Sequence, residues 1–212
     1  MDFPESGAEV SWQVADASVW INLAATGRCA EILAALGAPV AIVDVALREL
    51  QRGSSNGHDV LAHIEPLIQS GQIGVATMTP DDEDLFLSLV AGATAETLDD
   101  GEAATLAVAV RLKGIALIDE RKATAIAKQR FPALDLRSTT EVLFATLPDE
   151  ETRIGPLADA LFLALRDARM RVPTHWQARV VEVLGPERAR VCNSLPAHLR
   201  TIPIDAADIQ FF

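Results

Sequence analysis

Five short apolar runs, each followed by a stretch whose apolar residues recur at helical spacing, are the feature that most restricts what this chain can fold into. The runs are Trp12–Ala17, Pro39–Ile42, Ile73–Met78, Ile115–Asp119 and Ala133–Leu136. After the first come Val19, Trp20, Leu23 and Ala24 on one helical face, then a periodic stretch over Cys29–Leu36 that stops at Gly37-Ala38-Pro39. Helices are expected over Asp44–Gln51 and, despite Pro66, over His58–Gln69, with a loop through Arg52–Gly57 between them. Thr79 reads as an N-cap with Pro80 at the first helical position and Asp81, Asp82 and Glu83 as a solvated acidic start. Further helices run from Asp99 to Lys113, ended by Gly114, from Glu120 to Arg130, ended by Pro132, and onward from Ser138. Strands alternating with helices imply a parallel sheet covered on both faces. From Ile154 the pattern is helical only, with one helix to about Arg171 and another starting at Pro173. The expectation is an α/β three-layer fold with a central, mostly parallel sheet, spanning 10–148, and a C-terminal helical extension over 149–212.

Composition agrees with a packed domain. Half of the 212 residues are hydrophobic and the mean hydropathy is slightly positive, so a substantial core is available. Charged residues break every apolar run well short of the ~20 residues that span a bilayer. Met1 to Val10 is acidic and lacks the positive leader and apolar stretch of a secretory signal, so a cytoplasmic protein with no membrane partner is expected. Cys29 and Cys192 have no metal-ligand spacing and read as small buried residues. The net charge of −12 argues against a protein that coats nucleic acid. Its distribution is uneven, because Arg153 to Arg200 holds eight arginines against four acids.

Two of the apolar runs end on an aspartate, Asp16 and Asp119. In parallel α/β sheets ligands bind at the carboxyl ends of strands, and a carboxylate there is costly to bury unless paired or metal-bound. Glu49, on a helix beside Val45, Ala46 and Leu50, and Glu102, next to Gly101 at a helix start, are two further acids able to close such a site. Four dispersed carboxylates without His or Cys suit Mg²⁺ or Mn²⁺ rather than zinc.

These residues carry a resemblance. Asp16-Ala17-Ser18-Val19-Trp20-Ile21, Val45 to Leu50 around Glu49, Gly101-Glu102-Ala103, and Leu117-Ile118-Asp119-Glu120-Arg121 resemble, in order, the four acidic motifs of PIN domains over about residues 12–147. The resemblance implies a PIN-like metal-dependent endoribonuclease, closest to VapC-like toxins of toxin–antitoxin pairs. With it come an RNA substrate, a cognate antitoxin as candidate partner, and a homodimer. Asp16, Glu102 and Asp119 would be metal ligands, with Glu49 completing the catalytic set. It also implies a supporting role for Ser18 in orienting Asp16 or a water. Glu120 stands where the family often has a second Asp, and the C-terminal helical part is longer than in minimal toxins. Arg121 is the candidate phosphate contact.

Other readings compete for the same residues. Asp16 and Asp119 also suit helix N-capping, Glu102 the helix macrodipole, and Glu49 a solvated helix surface. His58 and His63 are five apart and read as surface residues, His175-Trp176 as a base-stacking pair or a helix contact, and Trp12 and Trp20 as core. The alternative function is a PIN-fold RNA- or protein-binding module with little cleavage. A receiver-like or phosphatase domain with Asp16 as phospho-acceptor would need a lysine after a late strand, and Lys113, Lys122 and Lys128 all fall in expected helices.

Overall fold

A computed structural model describes residues 11–53, 60–93, 97–149 and 155–200. Of the expected Arg52–Gly57 loop, Arg52 and Gly53 instead extend the helix that begins at Asp44, and 54–57, like His58, Arg153 and Ile154, lie outside the described residues. The chain forms β1 (Gln13–Ala15), α1 (Ala17–Ala25), α2 (Cys29–Leu36), β2 (Val40–Val43), α3 (Asp44–Gly53), α4 (Val60–Gln69), β3 (Ile73–Ala76) and α5 (Pro80–Val90). It continues through α6 (Asp100–Arg111), β4 (Ile115–Leu117), α7 (Arg121–Arg130), β5 (Asp135–Arg137) and α8 (Thr139–Thr146). After α9 (Pro156–Arg166), a 3₁₀ turn over Thr174–Trp176 leads into α10 (Gln177–Val191) and α11 (Ala197–Arg200). Pro66 sits inside α4 without ending it. α10 is broken at Gly185, whose φ of 73° is followed by Pro186.

Among the described residues five strands run parallel in the order β3-β2-β1-β4-β5. The central strands are apolar on both faces because helices cover both sides. Ala15, Val40, Ile42 and Leu117 face a cluster built with α1, α2, α4 and α8 to α10. Val14, Ala41, Val43 and Ala116 face one built with α5, α6 and α7. Trp20 is fully buried in the first and donates its indole N–H to the Ala15 carbonyl at 3.2 Å. Trp12 is only half-buried, against the second cluster. Trp176 stacks on Phe144 with ring centroids 4.5 Å apart, the helix-contact role.

The expected division at 148/149 falls between α8 and α9, next to residues 150–154, which are outside the described set. On either side of it the packing is continuous: Leu157, Leu161 and Leu165 of α9 and Val180 and Leu184 of α10 share the cluster that holds Val19 and Leu23. Both cysteines are buried, and burial pushes their thiols up, Cys29 to about 12 and Cys192 to about 11. No single helix among the described residues is long and apolar enough to cross a membrane.

Two local expectations are corrected. Thr79 and Pro80 do start α5 with a capping box, but its acidic partner Asp82 is not solvated. Asp82 is buried and accepts two bonds from Arg111 Nε, at 2.8 and 2.9 Å, because an interior carboxylate needs a paired charge. Gly114 is not the left-handed residue that ends α6. Lys113 takes that conformation, with φ 48°, and the amides of Lys113 and Gly114 close a Schellman motif onto Val110 and Ala109. Glycine is needed at 114 for close approach: a Cβ there would lie 2.3 Å from the Trp12 carbonyl oxygen, where β1 meets β4.

Candidate active site

The strand order reverses direction at β1, with β2 on one side and β4 on the other, so the crevice between the carboxyl ends of β1 and β4 is the topological switch point. Asp16 and Asp119 stand at its two lips. Asp16 follows β1 directly, and its amide continues the ladder to the Leu117 carbonyl at 3.1 Å. Its extended backbone makes it the N-cap of α1, where it accepts the Ser18 amide at 3.3 Å and the Ser18 hydroxyl at 2.8 Å. The same two bonds both cap α1 and tie Ser18 to Asp16.

Asp119 does not cap the helix that follows it; Glu120 does, by accepting the Lys122 amide. Asp119 is instead held from two directions. Asn22 on α1 donates to Oδ2 at 2.6 Å, while Thr139 at the start of α8 donates its amide to Oδ1 at 2.7 Å and its hydroxyl to Oδ2 at 2.5 Å.

α6 brings the third acid. Asp99 caps it, accepting the Glu102 amide at 2.8 Å, and Glu102 reaches back towards the Asp99 amide at 3.4 Å. α3 supplies Glu49, which is exposed as a residue although its carboxylate tip lies in the pocket. Gly101 is the cradle: a Cβ there would sit 2.7 Å from Glu49 Oε2, 3.4 Å from Asp16 Oδ1 and 3.6 Å from Asp99 Oδ1. Asp16, Glu49, Glu102 and Asp119 thus line one pocket of about 520 Å³, joined by Asp99 and Glu120.

The electrostatics follow from this crowding. Burial, with the Asp99 and Asp16 charges added, pushes the Glu102 carboxyl up to about 7. Burial raises Asp119 to about 6 against the opposing bonds from Thr139 and Asn22. Asp16 is raised by burial and by Asp99, and Glu49 by loss of hydration and by Asp16 and Asp99. No salt bridge among the described residues involves any of these four acids.

Cations line the same pocket. Lys122, Arg169 and Arg171 line the pocket, the latter two from the segment that leaves α9. Arg169 holds a left-handed backbone, φ 56°, and Arg171 pairs with Glu120 at 2.9 Å. Arg121 does not line the acidic pocket; it faces an adjoining cavity. His63 is exposed on α4, away from both cavities.

The residues missed from sequence are Asp99, Asn22, Thr139 and the two arginines of the α9 exit. Asn22, a lone amide in an otherwise apolar stretch of α1, is the one with a readable signal.

The donors suit a hard divalent cation: carboxylate oxygens, crowded and, among the described residues, without a salt-bridged counter-charge. The three carboxylates expected as ligands share the pocket, yet among the described residues no three His, Cys, Asp or Glu side chains are arranged to hold a metal ion as they stand. Compared with known families, residues 12–186 match the PIN domain. The chain belongs to the PIN-domain family. That match carries the nuclease character general to PIN domains and runs through α9 into α10, so the family region includes the segment that supplies Arg169 and Arg171. No curated protein matches this PIN domain in sequence.

Proposed function

We propose that this PIN domain is a metal-dependent endoribonuclease that hydrolyses RNA phosphodiester bonds. The observation that carries the reading is the convergence of Asp16, Glu49, Glu102 and Asp119 on one pocket at the sheet's switch point, without salt-bridged counter-charge among the described residues. Asp16, Glu102 and Asp119 would hold Mg²⁺ or Mn²⁺, directly or through water. Such an ion, when bound, supplies a water activated near neutral pH and neutralises charge on the scissile phosphate. The remaining work belongs to the chain. Ser18 fixes the rotamer of Asp16, and Asn22 and Thr139 fix that of Asp119. Glu49, which also lines the pocket, would orient the attacking water. Lys122, Arg169 and Arg171 line the same pocket and would neutralise the non-bridging phosphate oxygens.

In a cytoplasmic toxin–antitoxin pair, this nuclease would be the toxin, acting as a homodimer, with the antitoxin covering the acidic pocket. A second reading, a PIN-fold binding or regulatory module with little cleavage, draws on one observation: no three-donor group is preformed among the described residues.

Cleavage of a labelled RNA panel in Mg²⁺ or Mn²⁺ separates the two. The nuclease reading expects metal-dependent cleavage that disappears in folded Asp16→Asn and Asp119→Asn. A folded wild type that cleaves nothing would transfer the case to the binding module.

A further inference from the structure

Beside the acidic pocket lies a second cavity of about 460 Å³, and Asp119 and Arg171 line both. Its near wall is one face of α7, where Arg121, Thr124, Ala125 and Lys128 recur at helical spacing. Seven residues of helix set Arg121 and Lys128 about 10 Å apart along the cavity. Arg137, at the exit of the edge strand β5, and the 171–177 segment complete it.

The charges here are unusual for a chain of net −12. Arg121, Lys128 and Arg137 are all exposed, and among the described residues none has a carboxylate in salt-bridge contact. The acids that line the same cavity are already engaged. Asp119 accepts from Asn22 and Thr139, and Glu141 accepts the Ser138 amide and hydroxyl at 2.7 Å each, with His175 at 3.8 Å. Some surface cations elsewhere are tied into local pairs, such as Arg48 with Asp44 or Arg179 with Glu182.

We propose that this cavity is the phosphate track for the RNA strand flanking the scissile bond, with Arg121, Lys128 and Arg137 contacting successive phosphates. The proposal rests on the ribonuclease reading for the identity of the strand. A polyanion approaching four crowded carboxylates is repelled unless cations lie beside them, and these three occupy the groove that opens from Asp119. Arg171, shared by both cavities and leashed to Glu120, marks the point where the strand passes from track to reactive centre.

The test is metal-free binding of a short labelled single-stranded RNA by fluorescence anisotropy, in EDTA, over a range of salt. Full-length Lys128→Gln/Arg137→Gln is compared with wild type and with Lys113→Gln/Arg190→Gln, which removes the same charge away from both cavities. Circular dichroism melts confirm that all three fold. Loss of two phosphate contacts makes the log–log salt dependence shallower by about 1.4, and affinity at low salt falls by roughly tenfold or more, while the control tracks wild type. Equal weakening in both double variants would reduce the effect to overall charge and overturn the track. So would a wild type that binds no RNA, or one whose groove is occupied by an acidic peptide in preference to RNA. Because the readout needs neither metal nor turnover, track binding that survives alongside absent cleavage would count against the nuclease reading alone.

Discussion

Thr139 donates both its amide and its hydroxyl to Asp119, one to each carboxylate oxygen, across 20 residues of chain. The start of α8 therefore acts as the anchor for the acid at the end of β4. Asn22 adds a third bond from α1, so two helices and a strand agree on one carboxylate position. That is the kind of support a reacting site needs, since a carboxylate free to rotate would have to be ordered at each binding event.

Thr139→Val keeps the shape and the amide bond but removes the hydroxyl. The expected cost is about 1–2 kcal/mol of stability at neutral pH, measured by urea denaturation, because the lost bond was made to a charged group. The same bond lowers the Asp119 pKa, so the carboxyl should titrate above its wild-type value of about 6 when followed by carbon-detected NMR. An unchanged Asp119 titration would mean the hydroxyl does not anchor it in solution.

The acid cluster gives the metal-free protein a defined pH dependence. Glu102 holds its proton up to about pH 7 and Asp119 up to about 6 in the fold, against ordinary values of 4.5 and 3.8. Between those limits the folded chain binds more protons than the unfolded one, so stability falls as pH rises from about 4 to 7. A divalent ion needs the deprotonated acids, so metal affinity and any cleavage should climb over the upper part of the same window. Melting in EDTA at pH 5.5 and 7.5, each repeated with Mn²⁺, checks both halves. A lower melting temperature at 5.5 than at 7.5 without metal, if the other acids are accounted for, would contradict the raised carboxyls.

Gly114 and Lys113 make a paired prediction of very different size. Gly114→Ala drives a Cβ to 2.3 Å from the Trp12 carbonyl oxygen, a backbone atom that accepts the Ile115 amide at 2.8 Å, so β1 and β4 must part. A loss of about 3 kcal/mol or more is expected from such overpacking. Lys113→Gly, at the residue that has the positive φ, should remain within about 1 kcal/mol of wild type. Because β1 and β4 carry Asp16 and Asp119, Gly114→Ala should also lower metal affinity. Equal stabilities for the two variants would refute this account of the strand contact.

What the sequence determined by itself was whatever depends on near neighbours along the chain. Strand–helix alternation, the cap at Thr79, and the two aspartates that end apolar strands are written in short-range periodicity and in residue preferences at element ends. Asp16 and Asp119 were visible for that reason. The tertiary structure alone decided which polar groups meet. Asn22 and Asp119 are 97 residues apart, Asp82 and Arg111 are 29 apart, and Arg171 reaches Glu120 across 51. None of these pairs leaves a periodic trace, because each depends on sheet order and on where a crossover returns. The same holds for Gly101 and Gly114, whose need for glycine comes from atoms of distant segments rather than from their own backbone. It holds also for the arginines of the site, which are supplied by the turn after α9 only because that helix packs into the core beside α1 and α8.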